Sequence, residues 1–140
     1  MVTEDYVSFE TAKLLKEKWF DGKCHAFYRK TLLNNKITDK AELHISTHLS
    51  LTNGNLQDKL YKEIVYCVAP TLQMAMKWLR EEKGVAVIPV LSSVLDNEKF
   101  LWDIKIVVAK TGESYSQGWI YEKQEAACDT AIQYCLENLV

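Results

Sequence analysis

The sequence predicts an α+β domain: an antiparallel sheet of about three to five strands with three helices, at about 8–19, 70–83 and 121–139, packed mainly on one face. Three observations lead there. Three segments repeat their apolar residues at helical spacing. Two segments rich in β-branched and aromatic residues, Val85–Leu91 and Phe100–Ala109, flank a turn at Asp96-Asn97. Only five glycines and two prolines punctuate 140 residues, with no repeat and no linker, so one domain spanning 1–140 is expected. A chain of this length buries roughly 68–70% of its unfolded surface, enough for a core without disulfides or metal.

The first helix opens at Ser8, whose hydroxyl can accept from a first-turn N–H. Phe9, Ala12, Leu15 and Trp19 then share a stripe, while Lys13, Glu17 and Lys18 face elsewhere. Asp21-Gly22 turns the chain into a half-buried strand over 23–29, in which Cys24, Ala26 and Tyr28 alternate with His25, Phe27 and Arg29. Ala41–Leu51 alternates in the same way, with Leu43, Ile45, Leu49 and Leu51 on one face and His44, Ser46, His48 and Ser50 on the other. Glu63–Val68 is a short extended segment leading to Pro70, which is tolerated in a first helical turn, where its missing N–H is not needed.

The second helix carries Leu72, Ala75, Met76 and Leu79 at i, i+3, i+4 and i+7, with Gly84 as its stop. Met74 and Trp78 lie away from that stripe, so the helix is either buried on a second side or exposes an apolar patch. In the hairpin that follows, Pro89 cannot donate to a ladder, which places its strand at an edge or a bulge. Thr111-Gly112 turns the chain again, and Tyr115–Ile120 reads as a last short strand. The C-terminal helix, Tyr121–Leu139, points Cys128, Ile132, Cys135 and Leu139 inward, with Ala127 and Ala131 alongside.

Charge excludes some functions. The net charge is −2; residues 1–40 hold eight Lys/Arg against six Asp/Glu, and residues 100–140 hold three against six. A protein living on phosphate contacts usually carries a strongly basic domain or stripe. The longest apolar runs, Ile64–Ala69 and Val85–Leu91, are far below the 18 or more residues of a membrane span, and the start Met1–Asp5 is acidic and polar, unlike a signal peptide. A cytoplasmic protein without membrane contact is expected. Its four cysteines form no C-x-x-C pair, and Cys128 and Cys135 stand about 10 Å apart along a helix, so buried reduced thiols are expected.

Catalytic constellations are missing. His44 and His48 on a strand are about 13 Å apart, too far to share an ion, and the chain has no H-E-x-x-H motif. Cys24 and His25 point to opposite faces of their strand, so the histidine cannot activate the thiol. Neither a G-x-S-x-G elbow nor a phosphate-binding glycine loop occurs. Glu81-Glu82, Asp96/Glu98 and Glu122/Glu125 read as solvated, the last pair suited to the dipole of the C-terminal helix. No catalytic residue, metal or cofactor is expected.

Binding features are more informative. Four tryptophans are too many for a small core. Trp102 has inward-pattern neighbours and reads as core, whereas Trp78, with Arg80 and Met74, is the candidate protein-contact group. Lys16, Lys18, Lys23, Arg29 and Lys30, interleaved with Trp19 and Tyr28, form a candidate nucleic-acid surface, diluted by Glu10, Glu17 and Asp21.

Tyr6-Val-Ser-Phe-Glu-Thr-Ala-Lys-Leu-Leu-Lys-Glu-Lys18, Ala69-Pro-Thr71 with Lys77-Trp-Leu-Arg-Glu81, and Tyr121-Glu122 opening an alanine-rich helix together resemble small phage- and prophage-type bacterial proteins. The likeness touches both ends and the middle of the chain, skips residues 30–60, and departs at Trp19, where that pattern has glycine. It implies a phage or mobile-element setting and supplies no catalytic residue. The function expected is non-enzymatic, through contact with another protein or a second copy. A nucleic-acid-binding accessory is the alternative, and a small-molecule enzyme the third reading.

Overall fold

The computed structural model describes residues 5–30, 32–33, 36–37, 40–46, 50–55, 64–116, 118 and 120–140, with the backbone alone at 32–33, 36–37 and 64–66. The fold is α+β, as the sequence predicts, but its strands do not join in one sheet. The chain divides into two compact units, Met1–Thr71 and Leu72–Val140, each with its own three-stranded antiparallel sheet.

The first unit runs α1 (Phe9–Glu17), β1 (Ala26–Lys30), the short pair β2 (Leu32–Leu33) and β3 (Lys36–Ile37), β4 (Glu42–Ile45) and β5 (Ile64–Val68), with sheet order β4-β1-β5. Ser8 caps α1, its Oγ accepting from the Thr11 N–H at 3.3 Å. Helix α1 packs on β5, and Ala12, Leu15, Phe20, Phe27, Leu51 and Val68 are buried in this unit. Asn53 ties its parts together: its side-chain amide donates to the Phe20 carbonyl at 3.1 Å and accepts from the Val68 N–H at 3.0 Å.

The start of β1 is covered on both faces, so the alternation read for 23–29 does not hold at its middle. Ala26 and Phe27 are adjacent and both buried. Phe27 stands opposite His44 on one side and Val68 on the other. The faces of β4 are likewise reversed from expectation. Leu43 and Ile45 are exposed, while the half-buried His44 ring packs 5.0 Å from the Phe27 ring. An aromatic neighbour, not the hydropathy alternation, selects the inward face. His48 and Leu49 lie outside the described residues.

Helix α1 ends two residues earlier than its apolar stripe suggested, and Trp19 leaves the stripe. The Trp19 N–H donates to the Lys16 carbonyl and the Phe20 N–H to the Leu15 carbonyl, a Schellman termination with Trp19 at the left-handed position. Its φ is +67° and its side chain is 87% exposed. A Cβ in this conformation costs about 1–2 kcal/mol, which is why glycine is the usual residue there. Trp19→Gly is therefore expected to raise stability by about 1 kcal/mol, read from the urea midpoint. A loss of stability would show that the indole packs after all.

The second unit runs α2 (Leu72–Lys83), β6 (Val85–Val94), β7 (Phe100–Val108), β8 (Ser114–Ser116) and α3 (Gln124–Asn138), with sheet order β6-β7-β8. Gly84, at φ +66°, turns α2 back along β6. Pro89 sits on the edge strand, as its missing N–H requires. The last strand is shorter than 115–120, and residues 117 and 119 lie outside the described residues. Tyr121 is not helical: it exchanges two backbone hydrogen bonds with Trp102, at 2.7 and 2.9 Å, so α3 starts three residues later and Glu122 falls before its first turn. Both helices pack on the sheet face that carries Val85, Val87, Ile104 and Ile106, all buried.

Candidate functional site

The site follows from a mismatch of lengths. Twelve residues of α2 span about 18 Å, whereas the ten residues of β6 span about 33 Å, so about 15 Å of hairpin extends past the helix that packs on it. Cross-strand register shows which side chains that length leaves bare. On the face beneath the helices the pairs are Val87↔Ile106 and Pro89↔Ile104, followed by Leu91↔Trp102 and, past a bulge between Leu91 and Ser93, Val94↔Phe100. Of the first two pairs Val87, Ile104 and Ile106 are core residues and Pro89 is half-buried. Beyond them the same face holds Leu91, Val94 and Phe100, which are 51%, 57% and 52% exposed.

These residues form one apolar stripe that is continuous with the core. Phe100 and Trp102 lean on each other with ring centroids 6.3 Å apart, and Leu95, in the turn, is also exposed. Trp102, expected in the core, is half-buried at the point where helix cover ends. Opposite the stripe, the reverse face carries Asp103, whose carboxylate accepts from Ser116 Oγ at 2.8 Å, and exposed Lys105. The tip turn Leu95–Lys99 is closed by the Leu95 N–H on the Lys99 carbonyl at 2.8 Å and carries Asp96 and Glu98.

The expected protein-contact residues are all on α2 but not on one surface. Met74 and Arg80 are exposed, and Trp78 is half-buried with Lys83 Nζ 5.4 Å from its ring centroid. At 100° per residue Trp78 and Arg80 project from nearly opposite sides of the helix, whereas Met74 and Trp78 share a side. The expected nucleic-acid residues also separate. Lys16, Lys18 and Lys23 lie at and beyond the C-terminal end of α1, with Glu17 and Asp21 among them. Arg29 and Lys30 lie at the far end of β1, where Lys30 Nζ is 5.6 Å from the ring of Phe9, the first residue of α1.

No group of three or more His, Cys, Asp or Glu side chains capable of holding a metal occurs among the described residues. All four cysteines are buried thiols. Burial pushes Cys24, Cys67 and Cys135 up to about 12, with Lys16 and Lys13 partly opposing the shift at Cys67. Cys128 is pushed up to about 11 by burial, with Glu125 and Asp129 adding to it. A nucleophilic thiol needs the opposite shift. No described helix is long and apolar enough to cross a membrane.

Neither family models, nor curated proteins, nor solved structures gave a match to this chain. The exposed stripe was missed in the sequence because Val85–Leu91 and Phe100–Ala109 look alike along their whole length. Read as a helix over 70–83 and a strand over 85–91, the two elements are of similar length, and the overhang comes from the extension of β6 to Val94.

Proposed function

We propose that this chain is a non-enzymatic contact module that works by docking onto another protein chain through the distal half of the β6–β7 hairpin. One observation carries the reading. A sheet face that is buried at Val87, Ile104 and Ile106 continues, without change of chemistry, into Leu91, Val94 and Phe100 at half exposure. Contiguous exposed apolar surface of this kind marks interaction sites. The raised thiol pKa values speak against cysteine catalysis, and the division of the basic residues into two groups disfavours a continuous phosphate track.

Phe100→Asp tests the reading. The site is exposed, so the variant should melt within about 1 kcal/mol of the parent while losing proteins recovered with the tagged parent chain. Equal recovery by parent and variant would show that the hairpin end is not the contact surface.

A further inference from the structure

We infer that the open edge of β4 is a strand-addition site, which takes an extended segment of another protein as a fourth strand of the first sheet. The site lies in the first unit and does not depend on the hairpin stripe of the second.

Hydrogen bonds fix which backbone groups face outward, because bonded and non-bonded pairs alternate along an antiparallel ladder. The Ser46 N–H donates to the His25 carbonyl at 2.7 Å, while the Ala26 carbonyl turns the other way and accepts from the Ala69 N–H at 2.8 Å. Ala26↔Ile45 is therefore a non-bonded pair, and so is Tyr28↔Leu43, two residues along a register that runs without a shift. The N–H and carbonyl groups of Leu43 and Ile45 point away from β1, and among the described residues no strand pairs with that side of β4. Their side chains share the face of Ala26 and Tyr28 and are 41% and 53% exposed.

The other edges of the two larger sheets are each spoiled for pairing. At β5 the Val68 N–H is taken by the Asn53 side chain at 3.0 Å. β6 carries Pro89 and a bulge between Leu91 and Ser93, two devices that blunt an edge. β8 is three residues long. β4 has neither proline nor bulge, and the side chains it exposes beside its outward groups are apolar. That geometry selects the occupant. Two outward N–H and carbonyl sets about 7 Å apart match an extended main chain, which presents its own at the same interval, whereas a helix spends its backbone groups internally. Apolar residues at every second position of the added strand would cover Leu43 and Ile45. Lys40 and Glu42, both exposed near one end of the edge, carry opposite charge, so backbone pairing rather than net charge chooses the partner. A second copy fits less well, because the antiparallel register that joins Leu43 to Ile45 sets His44 directly opposite His44.

Panning a library of random peptides on the full chain tests this. Recovered sequences should repeat apolar residues at every second position, and the best of them should move the amide resonances of Leu43 and Ile45. Ile45→Pro removes an outward N–H that the ladder does not use, and Ile45→Lys sets a charge beside the edge. Both should melt within about 5 °C of the parent and weaken that peptide by about tenfold or more. Should Ile45→Pro fail to fold, Ile45→Lys carries the test. Ile88→Lys, on the spoiled edge strand β6, should bind the peptide as the parent does. Peptides with helical spacing, an empty selection, or a peptide that binds both Ile45 variants as well as the parent would overturn the inference. If the Leu43 and Ile45 amides shift with the concentration of the chain alone, the occupant is a second copy and the assigned partner is wrong.

Discussion

Raising the pH from 8 to 10 should remove about 5 kcal/mol of stability, a large share of the roughly 5–15 kcal/mol of a typical domain. The cause is four buried thiols. Against a starting value of 9.0, burial pushes Cys24, Cys67 and Cys135 up to about 12 and Cys128 to about 11. Between pH 9 and the raised values the unfolded chain loses these protons while the folded chain keeps them. The unfolded state then binds fewer protons, so stability falls as pH rises, by about 1.4 kcal/mol per thiol per pH unit. Below pH 9 both states hold the protons, and the thiols contribute no slope. Urea unfolding at half-unit steps from pH 7.5 to about 10.5 measures it. Cys24→Ala should be less stable at pH 8, yet lose about 1.4 kcal/mol less than the parent between pH 8 and 10. A parent equally stable at both pH values, or a variant with the parent's slope, would refute the assignment.

Phe27→Ala should cost about 3–5 kcal/mol. Phe27 is only 1% exposed, on the central strand of the first sheet, with His44 and Val68 as its partners on the two sides. Truncation leaves a cavity on the face of a sheet whose backbone ladders resist collapse, and among the described residues the other large fully buried side chains of the first unit are few: Val7, Leu15, Leu51 and Val68. Phe27→Leu, which keeps much of the volume, should cost less than about 1.5 kcal/mol. Urea unfolding ranks the two, and hydrogen exchange at the amides of β1 localises the loss. A cost below about 1 kcal/mol for Phe27→Ala would mean that the first sheet does not depend on its central aromatic residue.

The legible parts of the fold were those coded within a few residues. Ser8 as cap, Gly84 as stop, Pro89 on an edge and the hairpin about Asp96-Asn97 each rest on local backbone chemistry and are found in place, as is the stripe of Leu72, Ala75, Met76 and Leu79 except that Met76 is only half-buried. The α+β class follows from them, because amphipathic helices and strands of that length have few ways to bury their apolar faces. The errors share one cause. Trp19 fits the apolar stripe of α1 by spacing but belongs to its terminating turn, where two hydrogen bonds set its φ. Tyr121 fits the C-terminal helix by composition but is taken by Trp102, nineteen residues away in the chain. His44 turns inward because Phe27 stands opposite.

The candidate site was hidden for the same reason. Residues 85–94 and 100–108 look apolar throughout, and nothing in their order separates Val87, under a helix, from Val94, beyond it. Met74, Trp78 and Arg80 stood out by residue type, yet helical geometry divides them.

By itself the sequence determined the class of the fold, the kinds and approximate places of its elements, and the absence of catalytic motifs, since these depend on residue type and short spacing. Only the tertiary structure decided that the described strands form two three-stranded sheets and a separate short pair, which faces of the larger sheets are covered, and that the core face of β6 and β7 runs bare beyond the helices. Those outcomes depend on which distant segments pair and how far each element reaches, and a period of two or 3.6 residues carries no information about either.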